Sequence, residues 1–152
     1  MKVILGGTGS GKSTNVARIA AEYAGVSRNV DIISNEVKPQ GYLDLVPEPV
    51  NTTLIKFHYL PYTPLMSDIV EIIMCKTTNV VLLDLYVPFR AQDLEFLYQI
   101  ERYTGKELFV TVQTNKDYRD HMLAVEGGNK ACVVDWNHLA LTFDIVNDRG
   151  IM

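Results

Sequence analysis

The sequence predicts an α/β fold in three layers: a mostly parallel sheet, helices on both of its faces, and an antiparallel strand pair near the C-terminal end. Three observations carry this reading. Strand-length apolar runs alternate with stretches of helical period along the chain. The runs Val80-Val81-Leu82-Leu83 and Leu108-Phe109-Val110-Thr111-Val112 are apolar at nearly every position, as suits strands covered on both faces. The length, 152 residues, is that of one domain, read here as spanning 1–152.

The elements follow in order. Residues 2–5 are a first strand, and 12–23 a helix with Val16, Ile19, Ala20 and Tyr23 on one face. Residues 30–34 are a second strand. The segment 37–53 contains Pro39, Pro47 and Pro49 and reads as a loop or a broken helix. Residues 54–60 are β-prone. Ile69, Val70, Ile73 and Met74 mark a helix over 67–76. A buried strand is expected over 80–85, then a helix over 91–103 in which Leu94, Leu97, Tyr98 and Glu101 give an amphipathic pattern, with Gly105 at its end. Residues 108–113 are a further strand, and 117–125 a short helix before the Gly127-Gly128 turn. Residues 131–136 and 138–146 are expected to pair antiparallel across a turn at Asn137.

Composition narrows the function classes. Hydrophobic residues at 47% and charged residues at 21% are a globular balance, which excludes general disorder. No apolar run reaches the ~18 residues of a spanning helix, so no membrane partner is expected. Residues 1–6 lack the pattern of a signal peptide. The net charge of −4 disfavours coating duplex DNA by bulk charge. It leaves open a grip by a few loop residues. Cys75 and Cys132 are expected as reduced core residues in a cytoplasmic setting, that of a host cell carrying a viral protein included. Trp136 is expected in the core, and His58 and His138 in strands without metal-ligand spacing.

The densest chemical signal follows the first strand: Gly6-Gly7-Thr8-Gly9-Ser10-Gly11-Lys12-Ser13-Thr14. It fits the Walker A pattern of a phosphate-binding P-loop. Glycines allow a tight turn whose amides face phosphate oxygens. The following helix offers its free N–H groups and its dipole to the same anion. Residues Gly7, Thr8, Gly9, Ser10, Gly11, Lys12, Ser13 and Thr14 are therefore the expected binders of ATP. Lys12 would reach the β- and γ-phosphates, and the Ser13 hydroxyl would ligate Mg²⁺. Asp84 closes the apolar run from Val80, which is the Walker B arrangement, and would hold the same Mg²⁺ directly or through water.

Three further segments extend the pattern. Asp31-Ile32-Ile33-Ser34-Asn35-Glu36 places a carboxylate just past a strand, and Val110-Thr111-Val112-Gln113-Thr114-Asn115-Lys116 ends a strand in Gln-x-Asn-basic. Ile145-Val146-Asn147-Asp148-Arg149-Gly150 lies near the C-terminal end. Together and in this order they resemble the RecA-type ATPase core, most of all that of DnaB-type hexameric replicative helicases. The resemblance spans the chain. It implies a RecA-like P-loop ATPase fold in which Glu36 polarises the attacking water, Gln113 senses the γ-phosphate, and Arg149 is an arginine finger given to a neighbouring subunit. Asn147 stands where that family carries a lysine. The family's N-terminal domain and linker helix have no counterpart, so a bare catalytic core is expected.

The loops that contact DNA in RecA-type cores correspond to residues 86–92 and 115–130. They hold Arg90, Lys116, Arg119, His121 and Lys130 among the aromatic Tyr86, Phe89 and Tyr118. Cations interleaved with rings suit single-stranded DNA. The leading expectation is thus a Mg²⁺-dependent, oligomeric ATPase acting on nucleic acid as a helicase, translocase or recombination motor. Two alternatives stay open: a small-molecule or nucleotide kinase sharing the P-loop, and a non-hydrolysing nucleotide-binding regulatory subunit.

Overall fold

A computed structural model describes residues 1–7, 9–46, 51–114 and 130–139. In chain order the elements are β1 (Lys2–Gly6), α1 (Lys12–Gly25), β2 (Val30–Ser34), α2 (Pro39–Leu45), a 3-10 turn (Thr52–Leu54), β3 (Ile55–Tyr59), α3 (Met66–Cys75), β4 (Val80–Asp84), α4 (Ala91–Thr104), β5 (Glu107–Gln113) and β6 (Cys132–Asp135). The six strands form one sheet in the order β3-β2-β4-β5-β1-β6. All neighbours are parallel except β6, which runs antiparallel to β1.

The two-residue period of a strand sorts the core into two halves. Ile4, Val30, Ile32, Ile55, Val80, Leu82 and Phe109 face the apolar stripe of α1 (Val16, Ala17, Ile19, Ala20, Ala24) and Tyr42 from α2. Val3, Leu5, Ile33, Val81, Leu83, Leu108, Val110 and Val112 face Ile69 and Ile73 of α3, Leu94 and Leu97 of α4, and Trp136. The central strands β4 and β2 are buried at every position. That is why β4 reads as an apolar run up to Asp84 rather than as alternation, while β2 buries Asp31 and Ser34 among its apolar residues. The result is a three-layer α/β arrangement with helices on both faces. Among the described residues no helix is long and apolar enough to cross a membrane.

Helix ends follow local chemistry. The Asp68 carboxylate accepts from the Leu65 amide at 3.0 Å, and that of Asp93 from the Arg90 amide at 2.9 Å. Each acid thereby satisfies an N–H that the first turn leaves unpaired. Gly105 closes α4 at φ 73°, where a side chain would be strained.

Several expectations need correction. The 37–53 segment contains a regular helix, α2. Pro39 sits in its first turn, where the missing N–H costs nothing. The strand expected from 138 does not begin there, because residues 136–139 are helical. Trp136 and Leu139, three apart, are both buried in the α3–α4 half of the core, a spacing that a helical turn satisfies and an alternating strand does not. β6 therefore pairs with β1, with no turn at Asn137, and His138 is not a strand residue. Trp136 is core as expected, its Nε1 donating to Glu95 Oε2 at 2.6 Å. Neither cysteine is a core residue: Cys75 is exposed at the end of α3 and Cys132 is half-buried on β6. The expected helix 117–125, the Gly127-Gly128 turn and residues 140–146 lie outside the described residues.

Parallel strands deliver their carboxyl ends to one edge of the sheet, and the loops leaving that edge are brought together there. Register does this specifically. Gly6 lies opposite Gln113 across β1–β5, and Ser34 opposite Asp84 across β2–β4.

Candidate functional site

The loop after β1 is held by its own backbone and side chains. The Ser10 amide and hydroxyl both donate to the Gly7 carbonyl, at 3.2 and 2.7 Å. The Thr114 amide donates to the Gly6 carbonyl at 3.0 Å, and the Ala131 amide to that of Ser10 at 2.8 Å. A side chain at Gly6 would collide with the Ser10 hydroxyl. Gly11 enters α1 at φ 92°, in the left-handed region open to glycine. The loop thus turns sharply into the N-terminus of a fourteen-residue helix.

A pocket of about 460 Å³ opens over this turn, lined by residues 9–14 together with Glu36, Tyr86 and Gln113. Of the expected site residues it gathers Gly9, Ser10, Gly11, Lys12, Ser13, Thr14, Glu36 and Gln113. Gly7 is adjacent, its carbonyl accepting from Lys12 Nζ at 2.8 Å, with the Gly6 carbonyl 3.2 Å from the same nitrogen. Thr8 and Arg149 lie outside the described residues.

Asp84 does not line the pocket. It is wholly buried, and its Oδ2 accepts from the Ser13 hydroxyl at 2.7 Å. The Tyr42 hydroxyl donates to that same oxygen. Asp84 Oδ1, also buried, has no hydrogen-bond partner among the described residues.

The electrostatics follow from this crowding. Burial lowers the Lys12 ammonium below the ordinary lysine value, while the carboxylates of Glu36 and Asp84 pull it back up. Burial raises the Glu36 carboxyl above the ordinary glutamate value. The Asp84 charge adds to that rise and Lys12 opposes it. Burial and then the Asp84 carboxylate push the Tyr42 phenol far up, so it remains a proton donor at any working pH.

Ser34 shapes the loop that carries Glu36: its hydroxyl oxygen accepts from the amides of Glu36 at 3.1 Å and Val37 at 3.0 Å. Asn35 joins this loop to the one after β4. Its Oδ1 accepts from the Tyr86 amide at 2.7 Å, and its Nδ2 donates to the Tyr86 carbonyl at 3.3 Å.

The residues fit a magnesium ion. A buried carboxylate oxygen without a donor is costly unless a cation or a polar group completes it. Asp84 Oδ1 is such an oxygen, and the hydroxyl of Ser13, bonded to Oδ2 of the same carboxylate, is a second hard donor. Magnesium takes few protein oxygens, filling its other positions with phosphate and water. Chemically, the site can therefore receive a polyanion on helix amides and an ammonium, with a carboxylate, Glu36, on the same pocket wall.

Sequence reasoning missed Tyr42, Ser34 and Asn35 as parts of this site. The one available signal for Tyr42 was Pro39 as a helix starter rather than a breaker. Tyr86 was assigned to a DNA-contacting loop but lines the pocket. Phe89, assigned to the same loop, is buried in the core and cannot stack on a base. Arg90 and Lys130 are exposed, whereas Lys116, Tyr118, Arg119 and His121 lie outside the described residues. No protein-family model matches the chain, and no curated protein is significantly similar to it.

Proposed function

We propose that this chain is a Mg²⁺-dependent nucleoside triphosphatase of RecA-like P-loop type, acting on nucleic acid as an oligomer. One observation carries the reading most: a glycine loop, Lys12, Ser13, Glu36 and Gln113, far apart in sequence, line or border one pocket over a helix N-terminus, with buried Asp84 bonded to Ser13.

In this reading the amides of residues 9–14 and the Lys12 ammonium bind the phosphates of ATP. Lys12 gives up the Gly6 and Gly7 carbonyls to do so. Ser13 and Asp84 hold magnesium, which when bound neutralises the phosphate oxygens. Glu36 takes the proton of the attacking water. Its raised pKa brings it nearer to neutral pH than an ordinary glutamate, which favours proton transfer there. Gln113 ends β5 beside the glycine loop, where it meets the terminal phosphate and passes its presence to the following segment. Arg149 serves a neighbouring subunit, and exposed Arg90 and Lys130 meet the backbone of single-stranded DNA.

The test is phosphate release from ATP measured over a range of protein concentrations, with and without single-stranded DNA. Release that requires magnesium, rises with DNA and gains specific activity with concentration is expected. Transfer of the γ-phosphate to a nucleoside monophosphate, with no release to water, would replace this reading with a kinase.

A further inference from the structure

The phenol of Tyr42 is the least expected group at the site. It comes from α2, an element outside the glycine loop and outside the strand that ends in Asp84. It is almost fully buried, with 1% of its surface exposed, and its ring stacks on Phe57 at a centroid distance of 5.9 Å. A buried hydroxyl needs a partner, and this one spends its proton on Asp84 Oδ2. Two donors, Ser13 and Tyr42, therefore converge on one oxygen of the carboxylate. The other oxygen, Oδ1, is left without a partner among the described residues.

We propose that Tyr42 is a positioning residue for the metal: it clamps Asp84 by Oδ2 and so reserves Oδ1 for magnesium. The inference rests on the triphosphatase reading above. A carboxylate on one rotatable bond exchanges its two oxygens freely unless something fixes them, and a hydroxyl from a rigid aromatic ring does so. Groups that orient a metal ligand govern metal affinity by about 10- to 100-fold.

Tyr42→Phe keeps the ring and its stacking and removes only the hydroxyl. The experiment titrates magnesium into wild type and variant saturated to equal extents with a fluorescent N-methylanthraniloyl ATP, and reads the midpoint of the magnesium-dependent change. Nucleotide affinity is measured separately in EDTA. The expected result is a midpoint shifted upward by about tenfold with affinity in EDTA unchanged. An unshifted or lowered midpoint overturns the proposal. So does a parallel loss of affinity in EDTA, which would make Tyr42 a packing residue only. Failure of wild type itself to bind the analogue would instead refute the triphosphatase reading, and with it this one.

Discussion

Lys12→Met separates binding from folding at this site. In the free protein the ammonium donates to the Gly7 carbonyl at 2.8 Å and to that of Gly6 at 3.2 Å. In the proposed function it exchanges these carbonyl oxygens for charged phosphate ones. A hydrogen bond to a charged partner contributes roughly 1.5–3 kcal/mol net, so its loss should raise the Kd for ATP by about 10- to 160-fold. Stability should move the other way or not at all. Burial lowers the Lys12 pKa, so the folded chain holds that proton less tightly than the unfolded chain does. Below the folded-state value the charge is a cost to folding, and the cost is relieved as pH rises through it. Methionine removes the charge and keeps the stem, while the Gly7 carbonyl retains both Ser10 donors. Calorimetric titration with Mg-ATP and thermal unfolding at pH 7 read the two effects. A variant that binds within about threefold of wild type would refute the role of Lys12 in phosphate binding. One that melts well below wild type would show the ammonium to be a structural tie.

Three further variants carry expected outcomes. Glu36→Gln should lower turnover by about 10²- to 10⁴-fold with ATP binding intact, as single-turnover phosphate release would show. The same variant should melt above wild type at pH 7: the raised Glu36 pKa makes its charge a cost to folding above the folded-state value, and the difference should vanish in acid below the unfolded value. Gly11→Ala places a side chain at φ 92° and should cost about 1–2 kcal/mol in urea unfolding, with a loss of ATP affinity; unchanged stability would contradict the turn described. Thr78→Val removes the hydroxyl that donates to buried Asp31 Oδ2, while His58 Nε2 remains 2.7 Å from Oδ1. A loss of about 1–3 kcal/mol is expected, and a neutral result would mean that Asp31 finds another donor.

Legibility in the sequence followed the physics of each element. The strands buried on both faces were plain, because Val80-Val81-Leu82-Leu83 has no polar position to confuse its period. The turn into α1 and the place of Asp84 were equally plain, since clustered glycines mark a turn and the apolar run marks the strand that Asp84 closes. What was hidden depended on three-dimensional neighbours. The strand order, which sets β5 between β1 and β4, leaves no local mark. Tyr42 was masked by prolines that start a helix as readily as they break one. Cys75 was misjudged because apolar neighbours in sequence, Ile72, Ile73 and Met74, lie on different sides of α3: Ile73 is buried and Met74 is 48% exposed. Phe89 and Tyr86, three residues apart in one loop, point to opposite fates: core for the first, pocket for the second. A composition of rings and cations cannot distinguish the two.

The most direct measurement is calorimetric titration of the purified wild-type protein with ATP, with magnesium and then with EDTA. Saturable binding to one site per chain, tightened by magnesium, is the result that the proposed function predicts. Absence of any heat of binding up to millimolar ATP, with magnesium present and the protein folded, would contradict it.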